Sequence, residues 1–232
     1  MLKIKELVPN TLTSGNLFSG CVGIILALNN ELEYAAAMIW IAGLFDFLDG
    51  FSARILKVSS EIGKQLDSLA DMVTFGVLPG VILYQMMQNT MVVESYLPFL
   101  VFIITIFSAV RLAKFNIDTR QSDTFIGLPT PANAICVSAF PFMTSISTNL
   151  TAIQTQFLIV IYVIVFSWLL IAEIKMLALK FKSFGWSGNE ARWLFIFTSL
   201  GLILILQIIA IPIIILLYVV TSIINNIINT ES

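Results

Sequence analysis

The chain has 232 residues, 58% of them hydrophobic and 11% charged, with a mean hydropathy of +0.96 and a formal net charge of −2. Ordinary soluble domains carry about 25% charged residues, so this surface could not be kept in water. Residues 1–232 therefore read as one integral membrane domain with no room for a separate soluble one, and nucleic acid is not an expected partner.

The opening stretch from Met1 to Val8 is too short and too polar for a cleavable signal peptide. It reads as a short amphipathic lead-in lying on the membrane surface. Apolar runs of about 20 residues are needed to cross a hydrocarbon core. Such runs lie near 11–28, 34–56, 66–87, 96–115, 130–148, 155–174 and 193–228. As one helix the last would be about 54 Å long, too much for a single span. Gln207 and Pro212 sit near its middle and offer a place to turn. The expected fold is an all-α polytopic transmembrane helix bundle of about eight spans, with seven as the alternative.

All twelve Lys and Arg residues fall on one side of these spans. Lys3 and Lys5 precede span one, and Arg54, Lys57 and Lys64 flank the connection between spans two and three. Arg111, Lys114 and Arg120 follow span four; Lys175, Lys180, Lys182 and Arg192 lie between spans six and seven. The opposite loops carry Glu31, Glu33 and Glu94 but no Lys or Arg. By the positive-inside rule the basic side is cytoplasmic. Cys21 and Cys136 lie in apolar segments and read as small core hydrophobes. There is no histidine, so proton transfer falls to Asp, Glu, Lys, Tyr or Cys. Asn149-Leu-Thr151 matches a glycosylation sequon, a pattern common by chance. The Ile/Leu/Phe runs in 155–172 and 194–220 read as lipid-facing or packing surface.

Against this background four carboxylates stand out: Asp46, Asp49, Asp67 and Asp71. A charge at membrane depth costs at least a few kcal/mol and marks a functional site by default. Asp46, Asp49, Gly50 and Ala53 fall within an arc of about 100° on one helix face. Gly63, Asp67 and Asp71 recur every four residues on the next helix, for which Ser59 or Ser60 is a candidate N-cap. A short hairpin would bring the two faces together around one space. All-oxygen ligation suits Mg²⁺, Mn²⁺ or Ca²⁺ rather than zinc, and four acidic ligands suffice for two ions clamping a phosphoryl group. Gly50 and Ala53 open a notch beside the carboxylates, and Arg54 is a fork suited to a phosphate oxygen. The bland alternative is ion pairing of these acids with Arg54, Lys57 and Lys64. A divalent-cation or proton-coupled transporter would place acids near mid-membrane on several helices, whereas these cluster at one edge.

The pattern Asp46-x2-Asp49-Gly50-x2-Ala53-Arg54-x8-Gly63-x3-Asp67-x3-Asp71 resembles the signature of the CDP-alcohol phosphatidyltransferases, matching it at every fixed position. Those membrane enzymes use divalent metal to displace CMP from a CDP-linked lipid with an alcohol. Further stretches resemble the family's bacterial and archaeal CDP-diacylglycerol–serine O-phosphatidyltransferases, the phosphatidylserine synthases of phospholipid biosynthesis. These are Pro9-Asn-Thr-Leu-Thr13, Leu66-Asp-Ser-Leu-Ala-Asp71 running into Thr74-Phe-Gly-Val-Leu-Pro79, Arg111-Leu-Ala-Lys-Phe-Asn116 and Gly127-Leu-Pro-Thr-Pro-Ala132. The resemblance covers residues 5–135; later spans match only in hydropathy.

The resemblance implies that Asp46, Asp49, Asp67 and Asp71 bind the metals, two ions of Mg²⁺ or Mn²⁺, with Asp71 also the base for the incoming hydroxyl. It implies that Gly50 and Ala53 border the nucleotide, that Arg54 and Ser60 contact the pyrophosphate, and that Asn10, Thr11, Thr13 and Ser14 close the nucleotide pocket. Lys114 stands where the family often carries Arg, which keeps charge but not bidentate geometry. Arg111, Lys114 and Asn116 are candidates for holding a serine carboxylate, or else anchor span four at the interface. The implied enzyme sits in a prokaryotic cell membrane as a homodimer, with its site on the cytoplasmic face, and transfers a phosphatidyl group from CDP-diacylglycerol to L-serine. A phosphorylated acceptor such as glycerol 3-phosphate or inositol phosphate would demand a further basic cluster, and only Arg111, Lys114 and Arg120 are available outside the motif.

Overall fold

A computed structural model describes residues 4–91, 93, 95–118, 120, 125–146, 150–177, 185–186 and 189–230. Lys3, Glu94, Asn149, Lys180 and Lys182 lie outside these residues. The described chain is helical apart from one isolated antiparallel bridge between Ile126 and Lys175.

Helix α1 (Ile4–Leu28) and α2 (Leu32–Leu56) form the opening hairpin. The lead-in expected at residues 1–8 is no separate segment where it is described, since from Ile4 it continues unbroken into α1. Helix α2 stops at Lys57, which adopts a left-handed φ of 51°, and α3 (Glu61–Asp71) starts four residues later. Ser60 caps α3 by accepting a hydrogen bond from the Gly63 amide at 3.0 Å. A π-helical stretch, Met72–Val77, follows directly after Asp71 and runs into α4 (Leu78–Gln88). The chain continues through a 3₁₀ turn (Leu97–Val101) into α5 (Phe102–Ile117).

Residues 130–146 are divided into α6 (Thr130–Ser138) and α7 (Phe140–Ile146), each too short to span alone. Helix α8 (Ala152–Ile171) opens on a reciprocal capping box between Thr151 and Gln154. Helix α9 (Glu190–Leu206) and α10 (Ala210–Thr230) flank Gln207, whose φ is 52°. The rings of Phe195 and Tyr218 lie 5.7 Å apart, so the chain doubles back on itself here. The turn expected in the last apolar run is present at Gln207, five residues before Pro212. Six stretches of the described chain are long and apolar enough to cross a membrane, with 190–227 counted as one.

The core sits around the helix that carries Asp67 and Asp71. Phe75, Leu78, Ile82, Leu83 and Met87 are fully buried there against Ile39, Ile104 and Leu170. Small residues allow the backbones to approach, as is usual where lipid supplies no hydrophobic drive between helices. A Cβ on Gly20 would strike the Thr74 hydroxyl and lie 3.1 Å from Thr74 Cα, so α1 lies almost against the π-helical backbone. Cys136 is buried as expected, but Cys21 is exposed on the outer face of α1; both are free thiols.

Polar contacts define two ends of the bundle. At one, Lys64 Nζ donates to the Asn116 carbonyl and Arg120 pairs with Glu173. At the other, Asn89 donates to Asn30 at 2.6 Å, Gln85 to the Leu28 carbonyl, and Gln156 to Thr90.

Candidate metal and nucleotide site

Asp46 and Asp49 stand near the C-terminal end of α2, and Asp67 stands in the middle of α3. The four-residue turn between the helices folds the two faces onto each other. One carboxylate oxygen from each of these residues falls within 4.8 Å of the others. Asp71 is not in that trio. Asp49 is buried, and its Oδ2 accepts a hydrogen bond of 2.6 Å from Thr13 of α1. Asp67 Oδ1 is buried without any hydrogen-bond partner.

Three carboxylates at this separation repel one another, and a buried carboxylate oxygen without a donor is costly. Hard oxygen donors grouped in this way fit a divalent cation of the Mg²⁺ or Mn²⁺ type. The unpartnered Asp67 oxygen makes the same point independently of spacing.

A cavity of about 270 Å³ opens beside the trio, between α1, α2 and α3. Asn10, Thr13, Asp49, Gly50, Ala53, Ser60, Gly63 and Asp67 line it, so eight of the residues singled out in the sequence share one wall. A Cβ at Gly50 would meet nothing within 4 Å, which is the open notch expected there. At Gly63 a Cβ would press on Asn10 Oδ1 and Ser60 Oγ, both at 3.0 Å.

Other residues lie elsewhere. Thr11 and Ser14 are exposed and donate back to the carbonyls of Leu7 and Asn10 in their own helix. Arg54 is exposed, donates to the Gly50 carbonyl at 2.9 Å and does not line the cavity. Asn116 is engaged with Ser68, donating to its hydroxyl at 2.8 Å, and thereby ties α5 to α3. Arg111 and Lys114 share a second cavity of about 320 Å³ with Asp118, Arg120 and Glu173. Its hydrogen bonds to Asp118 raise the Arg120 pKa above the ordinary guanidinium value.

Sequence reasoning missed Asn16. It is fully buried, and its Nδ2 donates to Asp71 Oδ1 at 3.1 Å. The Thr74 hydroxyl in turn donates to the Asn16 carbonyl at 3.2 Å. An Asn inside an apolar helix was the available signal, since such a group must find a partner. Glu6, which the sequence reading did not single out, also lines the first cavity, together with Ser59 and Lys64.

The family model for CDP-alcohol phosphatidyltransferase matches residues 6–179, most of the chain. A CDP-diacylglycerol–serine O-phosphatidyltransferase of Bacillus subtilis is 33% identical over 186 residues, covering 80% of this chain and 98% of the relative. One from Helicobacter pylori (strain J99) is 37% identical over 138 residues, covering 56% of this chain and 55% of the relative. An archaetidylserine synthase of Methanothermobacter thermautotrophicus is 34% identical over 148 residues, covering 62% and 61%.

Proposed function

Since the chain belongs to the CDP-alcohol phosphatidyltransferase family, we propose that it transfers the phosphatidyl group of CDP-diacylglycerol to L-serine, giving phosphatidylserine and CMP. The observation that carries this reading is the trio Asp46, Asp49 and Asp67, two of which, Asp49 and Asp67, line an adjoining cavity of about 270 Å³. The Bacillus relative, matched over nearly its whole length, supports serine as the acceptor.

The family depends on divalent metal, and the carboxylate trio fits it. Two Mg²⁺ or Mn²⁺ ions bound there would supply positive charge against the pyrophosphate. The chain's own residues do the rest. Gly50 and Ala53 leave room for the nucleotide, and Asn10 and Thr13 close that room from α1. Arg54, whose Nε donates to the Gly50 carbonyl, turns its exposed guanidinium to the pyrophosphate. Asp71 accepts the serine hydroxyl proton, with one of its oxygens held by Asn16 so that the other faces the reaction. The serine oxygen then bonds to the lipid-side phosphorus. The bond from that phosphorus to the bridging oxygen breaks, and CMP leaves with the electron pair. Arg111 and Lys114 take the serine carboxylate.

The site opens at the end of the bundle where Arg54, Lys57, Lys64, Arg111 and Lys114 gather, and this end is assigned to the cytoplasm. A homodimer belongs to the same proposal. The deciding assay supplies purified protein with CDP-diacylglycerol, Mg²⁺ or Mn²⁺ and one alcohol at a time, and follows CMP release and the lipid product. Serine should give phosphatidylserine. Product from glycerol 3-phosphate or inositol phosphate, with none from serine, would overturn the assignment. Asp71→Asn should abolish turnover in a protein that remains folded; wild-type activity in that variant would remove Asp71 as the base.

A further inference from the structure

The second cavity lies between the end of α5 and the chain leaving α8. It brings together charges of both signs, namely Arg111, Lys114 and Arg120 with Asp118 and Glu173. Arg111 is only 5% exposed, yet its Nε and Nη2 have no hydrogen-bond partner. Its guanidinium carbon lies 4.9 Å from the Phe115 ring centre and 5.6 Å from that of Phe125. Stacking steadies the charge but leaves those N–H donors unused. Buried donors of this kind call for an acceptor, and the guanidinium fork matches a carboxylate. Asn116, two residues beyond Lys114, exchanges hydrogen bonds with Ser68 of α3, the residue after Asp67, which sets this cavity beside the reacting end of the site.

On the other side, Arg120 Nη2 lies 2.8 Å from Asp118 Oδ2 and 3.5 Å from Glu173 Oε2. The two carboxylates thus already share a cation. The backbone around Glu173 is held firmly. The Gly127 amide donates to the Ile174 carbonyl and the Met176 amide to the Phe125 carbonyl, both at 2.8 Å. Gly127 has a φ of +77°, and a Cβ there would strike the Leu170 carbonyl oxygen at 2.6 Å, so the register of this joint is set.

An alcohol phosphate would find Arg120 already committed to Asp118 and Glu173. An uncharged alcohol would leave Arg111 unpaired. We infer that this cavity selects an alcohol carrying both a carboxylate and an ammonium, an α-amino acid, with Arg111 and Lys114 on the carboxylate and Glu173 with Asp118 on the ammonium. The inference rests on the phosphatidyl-transfer reading and adds to it the acidic half of acceptor recognition. Serine is then discriminated from analogues by two separate groups of residues that line one cavity.

The test uses the intact protein and three acceptors that share the hydroxyl. L-serine has both charges, 3-hydroxypropionate lacks the ammonium, and ethanolamine lacks the carboxylate. Glu173→Gln and Asp118→Asn, singly and together, should raise the serine KM at least about tenfold. They should shrink the preference for serine over 3-hydroxypropionate by a similar factor while the KM for CDP-diacylglycerol stays within about twofold. Arg111→Gln should instead shrink the preference for serine over ethanolamine. Glu173 has a side chain 66% exposed, so its replacement leaves packing intact, and thermal unfolding in detergent checks each variant. If serine turns over but both acidic variants keep the wild-type serine KM and preference, the inference is wrong and the transfer reading stands. If no acceptor yields a phosphatidyl product in the wild type, the transfer reading itself fails and this inference with it.

Discussion

A buried carboxylate oxygen without a donor, as Asp67 Oδ1 is, is tolerated where a cation is at hand to complete its surroundings. Asp67→Asn keeps the shape and removes the charge, so it should lower CMP release by at least about 100-fold and weaken Mn²⁺ binding, read by electron paramagnetic resonance, by about 10–100-fold. Wild-type Mn²⁺ affinity in that variant would remove Asp67 as a ligand. Asn16 acts one step further out, through its 3.1 Å hydrogen bond to Asp71. Asn16→Leu frees the Asp71 carboxylate to rotate, and the expected result is a fall in kcat of about 10–100-fold with the KM for CDP-diacylglycerol unchanged. A rise in that KM at constant kcat would instead make Asn16 part of the nucleotide wall. The aspartates announced themselves in the sequence because charge in an apolar chain is conspicuous. Asn16 did not, because its meaning depends on Asp71, 55 positions away, and on the helix crossing that joins them.

The helix crossing depends on the π-helical stretch that begins at Met72, immediately after Asp71. The wider turn carries Thr74, Phe75 and Gly76, all buried, between the polar face of α3 and the buried set Leu78, Ile82 and Leu83. Periodicity alone could not anticipate this, since residues 66–87 read as one continuous span. The hairpin turn was more open to reading: Ser60 was a candidate cap in the sequence and serves as one. Asn116 was read as an acceptor contact, but its amide is engaged by Ser68, a pairing invisible from residues 48 positions apart. The tightest contact on the π stretch is Gly20 against Thr74. Gly20→Ala should destabilise the protein by about 1–3 kcal/mol through overpacking, seen as a lower thermal unfolding midpoint in detergent, and should reduce turnover by shifting Thr74 and with it Asn16. Gly43→Ala is the matched control. A Cβ there meets nothing within 4 Å, so the change should be neutral or slightly stabilising through better helix propensity. Equal melting of the two variants would show that the α1 contact does not limit stability.

Across the whole molecule, residues brought together by the fold segregate by charge. Lys57, Lys64, Lys114 and Arg120 belong to the end that carries both cavities. Asn30, Asn89 and Gln156 belong to the opposite end, where polar contacts are made by uncharged amides. Helix lengths and hydropathy say nothing about which end faces the cytoplasm. The proposed orientation rests on the distribution of Lys and Arg, because these side chains resist translocation whereas amides do not. The same segregation serves the proposed chemistry, since CMP and serine are water-soluble while diacylglycerol stays in lipid, so the cavities must open where water meets the headgroups. The arrangement is testable without any activity assay. With Cys21 and Cys136 replaced by Ser, single cysteines at Lys57 and at Asn30 report the two ends. In intact cells a membrane-impermeant maleimide should label Asn30→Cys and leave Lys57→Cys untouched until the membrane is opened. The reverse pattern would place both cavities outside and would be incompatible with the proposed use of CDP-diacylglycerol at the cytoplasmic leaflet.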